Sequence, residues 1–210
     1  ASTMEVYGWQ PISDEVLTNT IPKKFIAFDE YTQPNPNAPY AVAKYACEKY
    51  LQYANRCLNL PFTALRQTNC YGRKDNDYFV TEQIITQMLQ ATECNLGYAE
   101  PYRNFIYVTD MLDAWETVIN NPDKCNDGLI FTIGPDNPIK IKDYAALIAN
   151  KINFSGHINW DTKLFRAGEI YWLNSNNNLI TKKLGWSPKI TLDEGLDRTT
   201  DFWTHKLTLA

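Results

Sequence analysis

Short strand-like runs alternate along this chain with longer segments of helical spacing, an order that restricts it to βα units feeding a largely parallel sheet. "PFTALRQTNCYG" reads as a strand ending in a loop, and "GLIFTIG" and "HINW" as further strands. Between them, "PYAVAKYACEKYLQYANRCL" from Pro39 to Leu58 reads as a helix with proline tolerated in its first turn and Ala41, Ala46 and Leu51 among its small or apolar positions. "YFVTEQIITQMLQA" places Phe79, Ile84, Ile85, Met88 and Leu89 close to helical spacing, and "IKDYAALIANKI" is another helix. "NFIYVTDMLDAWETVINN" is expected to turn from a short strand into a helix near Thr109 and Asp110, either of which can cap its N-terminus. The tail predicts a small helix, a turn at Gly185 to Pro188, and a closing helix with Trp203 and Leu207 four apart. The first residues, "ASTMEVYG", look like the end of a strand, followed by a polar stretch through Pro39 that should be a loop where a substrate site needs one.

The remaining composition excludes several classes. With 44% hydrophobic and 21% charged residues, 210 residues can bury the core of one domain, or of one and a fraction. A net charge of -4, with 20 basic residues scattered in no run longer than two, provides no basic stripe for nucleic acid. Cys47, Cys57, Cys70, Cys94 and Cys125 are odd in number and have no C-x-x-C spacing, which argues against a disulfide framework or a structural zinc site and fits a reducing cytoplasm. No signal-peptide pattern and no long apolar run stand in the sequence, so neither secretion nor a membrane is expected. His157 and His205 are isolated, and no metal site is expected.

Chemistry concentrates in "PYAVAK". Tyr40 and Lys44 are four apart and share one helix face. A phenol of pKa near 10 is a poor base at neutral pH, but an ammonium held close favours the phenolate. Tyr40 could then carry protons to and from a sugar or alcohol hydroxyl.

The ordered series "STMEVYG", "PYAVAK", "LRQTNCYG", "PYRNFIYVTDMLDAW", "FTIG", "RAGE" and "LGWSPKITLDEGLDRTTDFW" resembles the extended short-chain dehydrogenase/reductases that modify nucleotide sugars, from Ala1 to about Trp203. The resemblance implies an α/β fold: the C-terminal part of a Rossmann-type parallel sheet with a smaller α/β lobe that holds a nucleoside-diphosphate sugar. It divides the chain into a partial Rossmann-like catalytic domain with interleaved substrate-lobe segments over 1–135 and a mainly substrate-binding lobe over 136–210. It implies NAD as cofactor, with Thr3, Tyr40 and Lys44 as the catalytic set. Tyr40 would take the proton of the sugar 4-hydroxyl, Thr3 would hydrogen-bond the same oxygen, and Lys44 would lower the tyrosine pKa and hold the nicotinamide ribose. Glu5, two residues after Thr3, matches the carboxylate with which 4,6-dehydratases remove the carbon-5 proton, a group that simple 4-epimerases generally lack.

The same resemblance assigns Asn69, Arg103 and Arg166 to the sugar diphosphate, since a guanidinium fork pairs two phosphate oxygens at once. The sequence departs from the family at four places. Met4 stands where dTDP-glucose-type dehydratases carry Asp and others carry Ser, Gln67 where proline is frequent, and Asn104 where Asp is usual. "GPDNP" lacks the family's second glycine. None of the nine glycines forms the Gly-x-x-Gly-x-x-Gly turn that seats a dinucleotide pyrophosphate. The chain is therefore expected to begin near the family's fifth strand, and to act as a homo-oligomer or with a complementing N-terminal segment that supplies the adenosine-binding part. Two classes stay open. One is an NAD-dependent 4,6-dehydratase, with 4-epimerase and UDP-glucuronate decarboxylase as neighbours. The other is a non-catalytic remnant that binds or assembles.

Overall fold

A computed structural model describes residues 1–8, 26–125, 127–161 and 169–209. The elements run β1 (Ser2–Thr3), a 3₁₀ turn (Met4–Tyr7), α1 (Pro39–Leu58), β2 (Phe62–Gln67), β3 (Asn69–Tyr71), α2 (Val80–Gln90), β4 (Glu93–Leu96), β5 (Tyr102–Arg103) and β6 (Phe105–Tyr107). They continue with α3 (Val108–Ile119), α4 (Pro122–Cys125), β7 (Asp127–Ile133), β8 (Ile139–Lys140), α5 (Ile141–Lys151), β9 (His157–Trp160), α6 (Asn178–Leu184) and α7 (Leu192–Thr208). The main sheet is parallel in the order β1-β2-β7, with Thr3 opposite Gln67 and Gln67 opposite Ile133. Parallel pairs β3-β6 and β4-β9 and the antiparallel pair β5-β8 complete the pairing among the described strands. The mixed α/β architecture with parallel strands is the one the alternation of segments predicts.

Side-chain alternation along β2 divides the two faces of the sheet. Leu65, Phe131 and Ile133 pack with Ala114 and Val118 of α3 and with Ile180 and Trp186. A larger apolar cluster joins Ile84, Ile85 and Met88 of α2 to Tyr144 and Ile148 of α5 and to Leu196 and Trp203 of α7. Within it Phe105 stacks on Tyr144, and the buried Tyr144 hydroxyl meets Thr81 Oγ1 at 2.8 Å. Gly195 lies inside α7 because a Cβ there would stand 2.0 Å from the Tyr71 hydroxyl. That contact outweighs the helix cost of glycine, about 1 kcal/mol against alanine.

The other face of β2 is polar. Arg66, 3% exposed, sends Nε to Glu48 Oε1 at 3.0 Å and Nη2 to Glu48 Oε2 at 2.7 Å, a two-bond fork onto α1. Ser2 donates its hydroxyl to the same carboxylate, which is 2% exposed. Arg66 Nη1 reaches the Tyr7 hydroxyl at 3.0 Å, which donates to the Asp29 carbonyl at 2.6 Å and lies 3.1 Å from Thr132 Oγ1. Burial works against the guanidinium charge, but the Glu48 and Tyr7 contacts override it and hold Arg66 more firmly protonated than usual. At the outer edge of β7 the Thr132 N–H donates to Glu30 Oε1 at 2.6 Å, which closes one rung of an otherwise open strand edge.

Two local expectations are corrected. The strand read over "PFTALRQTNCYG" is not continuous: the chain changes sheets at Thr68, and Asn69–Tyr71 pairs in parallel with Phe105–Tyr107. Neither Thr109 nor Asp110 caps α3, which begins at Val108 with Tyr107 at the N-cap position. Asp110 instead accepts the backbone N–H groups of Lys189 at 3.0 Å and Ile190 at 2.9 Å, which ties α3 to the segment before α7. The expected helix over Pro39–Leu58 occurs as read, and the small helix before the expected turn at Gly185 ends there, with Gly185 in the left-handed conformation.

Removing one member of a buried ion pair strands the other charge. Glu48→Ala should therefore cost about 3–5 kcal/mol in urea denaturation, whereas Glu48→Leu combined with Arg66→Met should recover most of that loss. A Glu48→Ala protein within about 1 kcal/mol of the parent would show that water can replace the pair.

Candidate active site

Thr3 ends β1 and caps the 3₁₀ turn, its Oγ1 accepting the Glu5 N–H at 3.2 Å. The Thr3 hydroxyl also interacts with the Tyr40 hydroxyl, in a hydrogen bond that favours the phenolate. The turn must then reverse sharply, and Gly8 does so at φ +51 with the Asn35 carbonyl where a Cβ would sit, 1.8 Å away. Glu5 is partly buried and close enough for its charge to act on the Tyr40 phenol. Thr3, Glu5 and Tyr40 thus meet at the C-terminal end of the parallel strands, the end at which open α/β sheets take ligands.

Lys44 lies one turn along α1, its Nζ 5.8 Å from the centroid of the Tyr40 ring and 3.2 Å from the Ala1 carbonyl, to which it donates. The expected depression of the Tyr40 pKa is not present in this arrangement. Burial pushes the phenol above its ordinary value and the Glu5 carboxylate pushes it further, while the Thr3 hydrogen bond opposes both. One ammonium proton goes to the Ala1 carbonyl, and Lys44 is not among the groups that act most strongly on the Tyr40 phenol. Tyr40 itself is 52% exposed, open to a ligand from the solvent side.

The residues assigned to the diphosphate are placed less compactly. Asn69 opens β3, two residues beyond Gln67. Arg103 on β5 donates Nη1 to the Tyr102 carbonyl at 2.8 Å and Nη2 to Glu169 at 2.5 Å. Arg166 lies outside the described residues. Glu169, the last residue of "RAGE", is held against β5 by this bond. Among the described residues no group of three His, Cys, Asp or Glu side chains could hold a metal ion, and no helix is long and apolar enough to cross a membrane.

The structure also picks out residues that sequence reasoning passed over. Glu48 continues the face of Tyr40 and Lys44 by one more turn, and this i, i+4, i+8 series was visible in "YAVAKYACE". Arg66 gave no signal, since its partner is distant in sequence. Asn104, already marked in the sequence as a departure from the family, is fully buried: its Nδ2 donates to the Pro135 carbonyl at 2.7 Å and its Oδ1 accepts the Ser175 N–H at 2.9 Å. An aspartate could make only the second bond, so Asn104 and the "GPDNP" loop fit each other.

The signs of these couplings give a titration test. Followed as the difference between the parent and Tyr40→Phe, the Tyr40 phenol should titrate above its ordinary value, move down in Glu5→Gln and move further up in Thr3→Ala. Ultraviolet absorbance of the phenolate reads all three, and a Tyr40 indifferent to Glu5 would break the proposed coupling.

Comparison with known proteins places this geometry. The family model described as GDP-mannose 4,6 dehydratase matches residues 1–199. The chain is 28% identical to a putative UDP-glucose 4-epimerase of Methanocaldococcus jannaschii, over 85% of this chain and 57% of that protein. It is 27% identical to a human dTDP-D-glucose 4,6-dehydratase, over 91% of this chain and 54% of that one. It therefore spans little more than half the length of these curated relatives. Among solved structures, dTDP-glucose 4,6-dehydratase from Bacillus anthracis in complex with NAD superposes with a TM-score of 0.84 at 22% identity, covering 99% of this chain and 61% of that one. UDP-glucose 4-epimerase from Thermotoga maritima with UDP-glucose gives 0.82 at 25% identity, covering 98% and 62%. A Rossmann-type sheet, this family match and the ordered motifs agree: the chain belongs to the NAD-dependent epimerase/dehydratase family of extended short-chain dehydrogenase/reductases.

Proposed function

We propose that the chain carries the catalytic and sugar-binding part of a nucleotide-sugar 4,6-dehydratase. The observation that carries this reading is the meeting of Thr3, Tyr40 and Glu5 at one strand end, with Glu5 acting electrostatically on Tyr40. A carboxylate there has no task in simple 4-epimerisation and a clear one in removing a carbon-5 proton. Tyr40, held by Thr3, takes the proton of the sugar 4-hydroxyl. Glu5 removes the carbon-5 proton, and the 6-hydroxyl departs as water.

Part of a dinucleotide site fits the residues present. The half-exposed Tyr40 with the Lys44 ammonium beside its ring offers hydrogen-bonding groups for a nicotinamide ribose. None of the nine glycines forms the turn that would receive the pyrophosphate. Bound NAD would supply a reversible hydride carrier, taking hydride from carbon 4 and giving it back at carbon 6 while a proton returns to carbon 5, so that the overall conversion needs no outside reductant. Arg103, Arg166 and Asn69 are assigned to the sugar diphosphate. In that role Arg103 would share its guanidinium between Glu169 and a phosphate.

Met4 favours a second reading. It is 1% exposed and packed among Val6, Tyr7, Phe28, Ile170 and Leu173, so no acid at this position can protonate the departing hydroxyl. In the dehydratase reading Glu5 returns the proton it has taken. In the epimerase or decarboxylase reading no such acid is required.

The test is incubation with NAD and, separately, dTDP-glucose, UDP-glucose and GDP-mannose, with products identified by NMR and mass. A 4-keto-6-deoxy product, formed about 100-fold more slowly or worse in Glu5→Gln, is expected from loss of a general base. A product epimerised at carbon 4, or an unchanged rate in that variant, moves the assignment to the epimerases. Binding without any product marks a binding module.

A further inference from the structure

β2 ends at Gln67, whose Oε1 is buried without a hydrogen-bond partner among the described residues, and so is Oγ1 of the next residue, Thr68. Nearby, Ser2, Glu48, Arg66 and Thr132 are hydrogen-bonded and Asn104 is bonded at both ends of its amide, while Asn174 Oδ1 and Trp186 Nε1 are also buried and unpaired among the described residues. Folded proteins rarely leave such atoms unpaired, so each needs a physical account. Thr68 has one in packing. It is 7% exposed, and a Cβ on Gly134 would stand 2.5 Å from its hydroxyl, so the loop after β7 closes over it. Gln67 remains partly exposed.

Its position supplies the account. Gln67 is the register partner of Thr3, and side chains of paired residues in parallel strands stand on the same face of the sheet, about 4.8 Å apart strand to strand. Gln67 therefore stands next to Thr3, at the strand ends where a ligand enters. A carboxamide both donates and accepts. It suits a neutral group that does the same, a hydroxyl, whereas its carbonyl oxygen would oppose a phosphate. Hydroxyls come from the sugar ring or from the ribose of a nicotinamide nucleotide, and the position next to Thr3 favours the sugar.

We propose that the Gln67 carboxamide is a sugar-reading contact, hydrogen-bonded to a ring hydroxyl of the substrate held by Thr3 and Tyr40. This rests on the nucleotide-sugar reading of the site. It also explains why the chain keeps an orphaned amide oxygen, since the ligand is the missing partner.

Gln67→Met keeps the length and removes the carboxamide. Calorimetric titration of the full chain with UDP-glucose, dTDP-glucose and GDP-mannose is compared with titration by UDP, dTDP, GDP and NAD. For whichever nucleotide sugar binds the parent, the variant should bind it about fivefold more weakly, with affinity for the matching nucleoside diphosphate and for NAD unchanged. Without ligand the variant should melt about 2–4 °C higher, because the unpaired buried atom is gone. A variant that melts lower makes Gln67 a structural residue and overturns the proposal, as does an equal loss for sugar and diphosphate or no loss at all. Weaker NAD binding with sugar binding intact moves the contact to the cofactor and overturns it as well. Parent protein that binds the nucleotide sugars, with an unchanged variant, sinks this inference alone. Parent protein that binds neither nucleotide sugar nor diphosphate removes the nucleotide-sugar reading along with it.

Discussion

The buried fork between Arg66 and Glu48 is the contact on which the geometry of the site depends. It joins the middle of the central strand β2 to the helix that carries Tyr40 and Lys44, and the Ser2 hydroxyl brings β1 into the same contact. Two charges this deeply enclosed add little net stability over a well-packed apolar pair, because desolvation offsets most of their attraction. Their directional geometry is a separate matter. An apolar contact tolerates a helix that slides or rotates, whereas a two-bond fork plus a third donor fixes the rotation of α1 about its axis. Tyr40, Lys44 and Glu48 lie on one face at four-residue spacing, so fixing Glu48 also fixes the direction in which the other two point.

Tyr40 shows what that rotation achieves and what it leaves undone. The helix brings the phenol to Thr3 and Glu5, but the resulting field keeps it protonated: burial and a neighbouring carboxylate both disfavour the phenolate, and the Lys44 ammonium sits over the ring. A proton acceptor at neutral pH needs the opposite balance. The charges are in place for it, however. Lys44 now donates to the Ala1 carbonyl, and a modest reorientation of that long side chain would move its charge toward the phenolic oxygen. Ligand binding that draws Lys44 inward would lower the Tyr40 pKa when the base is needed.

The helices were legible from spacing because each buries one face against a single partner layer, as Ile84, Ile85 and Met88 do on α2. The alternating order of segments carried the parallel sheet in the same way. The sheet change at Thr68 was not legible, since "LRQTNCY" reads as one continuous strand and only its pairing with β7 on one side and β6 on the other divides it. Asp110 misled for a related reason. Asp near a helix start is a good local cap, but its carboxylate was taken by the Lys189 and Ile190 amides, far away in sequence. Of the site, Thr3, Glu5, Tyr40 and Lys44 were readable because they lie in two short segments. The Glu48–Arg66 fork, which spans 18 residues, was not.

The departures from the family pattern separate by whether the fold satisfies them. Asn104 is satisfied completely: its amide bridges Pro135 and Ser175, contacts an aspartate could not both make, so its exchange belongs with the altered loop after β7. Met4 is satisfied as a hydrophobe, its thioether enclosed in an apolar cluster, and that packing removes an acid from the site. Gln67 is the one the fold leaves unsatisfied, a polar atom buried at the strand end with nothing to bond among the described residues. A substitution absorbed by packing or hydrogen bonding has a structural explanation. One that leaves the free protein with an unmet hydrogen bond is stabilising only in a state that supplies the partner. For Gln67, next to Thr3 in register, that state is the complex with ligand.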